Sequence, residues 1–120
     1  MKTEKFKLGQ LGEEFACKFL KKKGYKIIER NYWKPWGELD IVAVSPEKIL
    51  VLIEVKTVKG PQPMITAEDQ ITRAKLIKFR RAAELYANGS KLLSNKGWRI
   101  DLVAVTIDDG EFDLKHYENI

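Results

Sequence analysis

The sequence predicts a mixed α/β fold: one mixed central sheet flanked by helices, in the order α-β-β-β-α-β-β. Three observations carry this expectation. Leu8, Leu11, Phe15 and Phe19 recur at spacings of three and four, which marks an amphipathic helix. Residues 49–56 are apolar almost throughout, as in a strand buried on both faces. A second helical pattern falls after the third strand, so a helix interrupts the run of strands.

Taken in order, the first helix covers residues 8–22 and ends at Gly24, with lysines in its last turn that suit the helix dipole. Residues 25–29 read as a short first strand. Asn31, Pro35 and Gly37 make residues 31–37 a loop. Residues 38–44 form the second strand, residues 45–48 a turn, and residues 49–56 the third strand. The Gly and two Pro of residues 58–65 predict an exposed loop. Thr66, with Asp69 three positions on, resembles a capping box that starts a helix reaching Ala87, and Asn88-Gly89 stops it. Residues 98–107 and 112–117 supply the fourth and fifth strands.

A chain of 120 residues is expected to form one domain, residues 1–120. It has no apolar run near the roughly 20 residues that span a bilayer, and its basic N-terminus is not followed by the apolar segment of a signal peptide. A cytoplasmic protein without membrane contact is the expectation. Cys17 is the single cysteine, so it cannot make an internal disulfide and cannot anchor a thiolate metal site alone. A net charge of +5 and a pI near 9.3 favour polyanionic partners, nucleic acid first.

The chemistry concentrates on two strands. The apolar third strand ends in Glu54 and Lys56, which share a face by alternation. Asp40 interrupts the apolar second strand, and a charge there is costly unless it is paired or metal-bound. If the turn sets Val44 against Leu50, counting back sets Asp40 against Glu54, with Cβ atoms about 5 Å apart. Carboxylates that close repel, and a divalent cation relieves the repulsion. Oxygen donors without nearby His or Cys suit Mg²⁺ or Mn²⁺. Lys56 then points at the same site. A strand-end ion pair between Glu54 and Lys56, with Asp40 at a sheet rim, accounts for the same spacing. Glu13 shares a helix face with Gly9, Ala16 and Leu20, whose small members would let the helix approach the sheet and turn Glu13 inward. Glu14 is expected to pair with Lys18 at the surface.

In combination, Gly9-x-x-Gly12-Glu13-x-x-Ala16, Asn31, Gly37-Glu38-Leu39-Asp40, Glu54-Val55-Lys56, Arg99-Ile100-Asp101-Leu102-Val103 and His116-x-x-Asn119 resemble the bacterial YraN-type family. The resemblance covers nearly the whole chain, in order. That family is similar to archaeal Holliday junction resolvases and restriction endonucleases, the PD-(D/E)XK nuclease superfamily. It implies a restriction-endonuclease-like fold and a Mg²⁺- or Mn²⁺-dependent endonuclease acting on DNA, branched or Holliday-junction-like. It further implies that Asp40, Glu54 and the Val55 backbone carbonyl bind the metal, and that Lys56 positions the attacking water. Glu13 would be an added ligand from the first helix and Glu38 a further carboxylate. Two positions depart from the family pattern: Trp36 and Val58 stand where basic residues are usual. Both concern the substrate more than the chemistry.

The remaining nucleic-acid candidates are Lys34, Trp36, Lys59, Gln70, Arg73, Lys75 and Lys78. Basic residues on the second helix suit phosphate, or form an ordinary solvated face. Trp33 and Trp36 suit stacking on splayed bases, or core cover. Apolar residues spread widely around the second helix fit either a homodimer interface or burial within one chain. No partner for His116 is evident in the sequence. Two readings compete with an endonuclease. One is a non-catalytic nucleic-acid-binding module, since a basic α-β-β-β-α order also occurs in double-stranded RNA-binding domains. The other is a nuclease-like fold with a degenerate site.

Overall fold

The computed structural model describes residues 3–61 and 66–120. Helix α1 spans Glu4–Lys22, four residues longer at its start than the apolar periodicity indicates. The Thr3 hydroxyl causes the extension by accepting from the Phe6 N–H at 3.0 Å, which satisfies one of the free donors of the first turn. Gly24, at φ 90°, ends the helix.

Strand β1 runs over Lys26–Lys34, so most of the segment expected as a loop is strand. Asn31 is accommodated within it at φ 53°, a left-handed conformation that Asn tolerates. The turn is confined to Pro35 and Trp36 and leads to β2, Gly37–Val44. Strand β3 spans Leu50–Lys59, three residues past the expected end, and residues 62–65 of the expected loop lie outside the described residues.

The second helix also differs from expectation. The Thr66–Asp69 capping box does form, with reciprocal bonds of 3.4 and 3.2 Å. It caps only a single 3-10 turn, Glu68–Gln70. Helix α2 proper is Arg73–Gly89, started by a second cap in which Thr72 accepts from the Lys75 N–H. A short α3, Lys91–Ser94, was not expected. Strands β4, Trp98–Asp108, and β5, Glu111–Tyr117, complete the chain.

The five strands form one sheet in the order β1-β2-β3-β4-β5. Among the described residues only β3 and β4 pair in parallel, which is why a helix crosses between them. α1 covers one face, with Ala16 and Leu20 packed against Ile41, Ile53, Val103 and Val105. α2 covers the other, with Phe79, Ala82 and Ala83 packed against Val42, Leu52 and Ile100. Both faces of β3 are therefore buried, as its uninterrupted apolar run requires. At Gly12 the helix lies so close to the sheet that an added Cβ would collide with the Thr57 side chain. Close approach thus depends on Gly12, whereas Gly9 faces open space.

Candidate active site

Two features of the sheet place the carboxylates. The β2–β3 register pairs Val44 with Leu50 and continues to Ile41 with Ile53, as the turn length predicts. Beyond that pair the strands part, and the next residues in register are Asp40 and Glu54. In addition, alternation along β2 breaks at Asp40. Leu39 and Val42 both pack on the α2 side, while Ile41 packs on the α1 side. The Asp40 carboxylate fills the gap so formed. Its Oδ2 accepts a 2.8 Å hydrogen bond from the Val55 N–H. A strand residue directs its N–H and C=O to the same side, so the Val55 carbonyl also faces this gap.

Glu54 lies beside Asp40, and its Oε1 lies 3.1 Å from Lys56 Nζ. Burial, then the charge of Asp40, push the Glu54 carboxyl up to about 7, against the pull of Lys56. Burial raises Asp40 as well, opposed by the Val55 N–H and Lys56.

Glu13 reaches the cluster from α1. Burial, then Asp40, raise its carboxyl to about 7. Its Oε1 is buried and has no hydrogen-bond partner among the described residues. A buried acceptor left unpaired costs about 1–3 kcal/mol, so this one marks a place where a ligand atom or water belongs. Glu38 is exposed beside the cluster, and its charge raises both Glu13 and Asp40. Glu14 turns away. It pairs with Arg30 at 2.7 Å rather than with Lys18, because β1 runs past this face of α1.

The expected nucleic-acid residues fall into separate groups. Lys34, Lys75 and Lys78 line a hollow together with Glu54 and Lys56. Lys59 and Gln70 line a different one, which Lys75 also borders. Arg73 is exposed on the first turn of α2, and Trp36 is exposed at the hairpin turn. Trp33, 66% exposed, is not core cover.

A second polar cluster escaped sequence reasoning. Asp101, fully buried, accepts from Arg99 Nε at 3.0 Å, from His116 Nε2 at 2.8 Å and from the Asn119 N–H at 2.9 Å. Hence His116 does have a partner. The signal lay in the sequence as the spacing Arg99-x-Asp101 followed by His116 and Asn119, but only the β4–β5 pairing brings these together. Asp101, His116 and Glu118 each offer one atom within 4.8 Å of the others, a spacing that admits a cation. The Arg99 guanidinium already bridges Asp101 and Glu118, so that cluster carries its own cation.

The fold and the gap between β2 and β3 define a class: small α/β proteins whose central sheet opens onto a cluster of carboxylates backed by a lysine. A sequence profile of the uncharacterised protein family UPF0102 matches residues 12–105. A UPF0102 protein of Fervidobacterium nodosum is 39% identical over 111 residues, covering 92% of this chain and 79% of that protein. One of Corynebacterium efficiens is 38% identical, covering 100% and 96%. One of Moorella thermoacetica is 43% identical over 103 residues, covering 86% and 83%. The chain belongs to the UPF0102 family. Among the described residues no helix is long and apolar enough to cross a membrane.

Proposed function

We propose that this protein is a metal-dependent endonuclease that hydrolyses DNA phosphodiester bonds, with Asp40, Glu54, Glu13 and Lys56 as its centre. The observation that carries the reading is the buried Glu13 Oε1, without a hydrogen-bond partner among the described residues, near the Asp40 and Glu54 carboxyls that burial raises. Three acidic groups gather in one desolvated place, opposed by Lys56 beside Asp40 and Glu54 and by Arg30 near Glu13.

The donors are all oxygen, which fits Mg²⁺ or Mn²⁺. Asp40, Glu54, Glu13 and the Val55 carbonyl would hold the ion, with Glu38 at the margin. When bound, it would supply charge that offsets the carboxylates and a water acidic enough to act as nucleophile. The chain's own residues do the positioning. The Val55 N–H fixes one Asp40 oxygen and leaves the other for the site. Lys56, steered by Glu54, presents its ammonium where a phosphate oxygen or the attacking water would lie. Lys34, Lys75 and Lys78 add positive charge along the approach.

The sequence motifs' resemblance to a family similar to junction resolvases and restriction endonucleases favours DNA as substrate, branched or Holliday-junction-like. A homodimer cutting two strands symmetrically fits that role by analogy. The test is to incubate pure protein with branched, single-stranded and plain duplex DNA, with Mg²⁺, with Mn²⁺ and with chelator. Cleavage that needs metal and is lost in Asp40→Asn and Lys56→Ala is the expected result. Cleavage that survives both substitutions would remove the site assignment. Binding without cutting under every condition would favour a non-catalytic nucleic-acid-binding module.

A further inference from the structure

The β1–β2 hairpin and the start of α2 enclose a hollow of about 360 Å³ whose wall includes Glu54 and Lys56. Its remaining charged wall is basic apart from Glu38: Lys34 from the hairpin, Lys75 and Lys78 from α2. None of these three lysines forms a salt bridge among the described residues. Lys75 Nζ donates to the Gln70 carbonyl and Lys34 Nζ lies over the Tyr32 ring, contacts that leave the positive charges unneutralised and open to an anion from outside. Phe79 gives the hollow an apolar floor, and the indole of Trp33, 66% exposed, forms part of its rim.

We propose that this hollow is a subsite for one unpaired nucleotide of a DNA strand, next to the bond that the carboxylate cluster addresses. The inference rests on the nuclease reading of that cluster and adds the substrate class. The volume lies near the low end of the ~300–1,000 Å³ usual for ligand sites, a size that suits one nucleotide. An aromatic face takes up any base by stacking, whereas lysines contact phosphate without reading sequence. In a duplex each base is already stacked on its neighbours, so Trp33 finds a free face only where a strand is unpaired. The substrate is therefore DNA with a single-stranded segment at the cleaved bond, as at a branch point or a flap.

The test separates binding from cutting. Anisotropy of labelled dT10 and of a blunt hairpin duplex is measured with the full chain in chelator, so that nothing is cleaved. Wild type binds dT10 more tightly than the duplex. Trp33→Ala weakens dT10 by about ten-fold or more and the duplex by less than about two-fold, and Trp33→Phe restores most of the loss. Lys34→Ala and Lys78→Ala each lower the salt slope for dT10 by about one. Equal loss for dT10 and duplex, or a duplex bound as tightly as dT10 by wild type, overturns the subsite. Circular dichroism and melting check that the variants fold, which the exposure of Trp33 favours. Cleavage that is metal-dependent but indifferent to Trp33 removes the subsite and leaves the nuclease reading. Trp33-dependent binding without cleavage removes the nuclease reading alone.

Discussion

The Asp40 carboxylate and the Val55 N–H are joined by a 2.8 Å hydrogen bond across the point where β2 and β3 part. This bond replaces the ladder bond that the strands no longer make, and it holds a half-buried acid in place. Asp40→Ala leaves the N–H without an acceptor and is expected to cost about 1–3 kcal/mol of stability. Asp40→Asn keeps an acceptor oxygen and is expected to cost less than about 1 kcal/mol. Urea unfolding measures both. Equal losses in the two variants would show that the bond contributes nothing to the fold.

Glu13 and Glu54 set a pH dependence. Their folded-state carboxyls sit at about 7, raised from 4.5, so the folded chain keeps protons that the unfolded chain releases. Stability from these groups is therefore expected to fall as pH rises from 4.5 to about 7, and to level off above. The lowered carboxyl of Asp101 acts oppositely, but below its ordinary 3.8 and so outside this window. Thermal melts across the window test the expectation. In the metal-free protein Glu54→Gln should flatten the slope and raise stability above the window by on the order of 1–2 kcal/mol. A cation that binds the deprotonated cluster should reverse the trend, with Mg²⁺ raising the melting temperature above pH 7 and not near pH 5. A slope unchanged in Glu54→Gln would remove this carboxyl as its source.

Gly12 and Thr57 make a coupled pair. A Cβ at position 12 would collide with the Thr57 side chain, whose hydroxyl is itself buried without a partner among the described residues. Gly12→Ala is expected to destabilise by about 1–3 kcal/mol through overpacking. Thr57→Ala removes an unpaired hydroxyl and should be near neutral, and in its background Gly12→Ala should cost less by at least about 0.5 kcal/mol. Additive effects in this double-mutant cycle would show that the helix does not press on Thr57.

What was legible in the sequence was whatever local periodicity encodes. The apolar run of residues 49–56 announced a doubly covered strand, and the Ser-Pro-Glu-Lys turn fixed the β2–β3 register. That register put Asp40 and Glu54 side by side. Capping was read less well, because two Thr caps compete near α2. Thr66 has the fuller motif, yet it caps only a 3-10 turn, and Thr72 starts the helix. The break in alternation at Asp40 was not legible at all. It arises where two strands separate, and alternation alone predicts the opposite. Partners far apart in sequence were also hidden: Glu14 and Arg30, and His116 and Asp101, meet only through sheet order.

The last of those pairs gives the sharpest stability prediction. Asp101 has no solvent exposure and accepts from a guanidinium, an imidazole and a backbone N–H. Lys23 Nζ lies 3.1 Å from His116 Nδ1. A lysine ammonium can only donate, so Nε2 carries the ring hydrogen given to Asp101. Arg99 also donates to the Tyr25 hydroxyl and to Glu118, so the residues after β5 are tied to β4 and to the segment following α1. Removing the carboxylate charge leaves the mostly buried Arg99 without its fully buried counter-ion, and the His116 and Asn119 N–H groups with one neutral amide oxygen to share. Asp101→Asn is therefore expected to cost about 3 kcal/mol or more, since breaking a buried pair by removing one partner costs about 3–5 kcal/mol. The loss should be largest near neutral pH and shrink in acid, where the wild-type carboxyl takes up its proton as well. Urea unfolding at several pH values measures this. A variant as stable as wild type near neutrality would show that hydration of the site replaces the whole network.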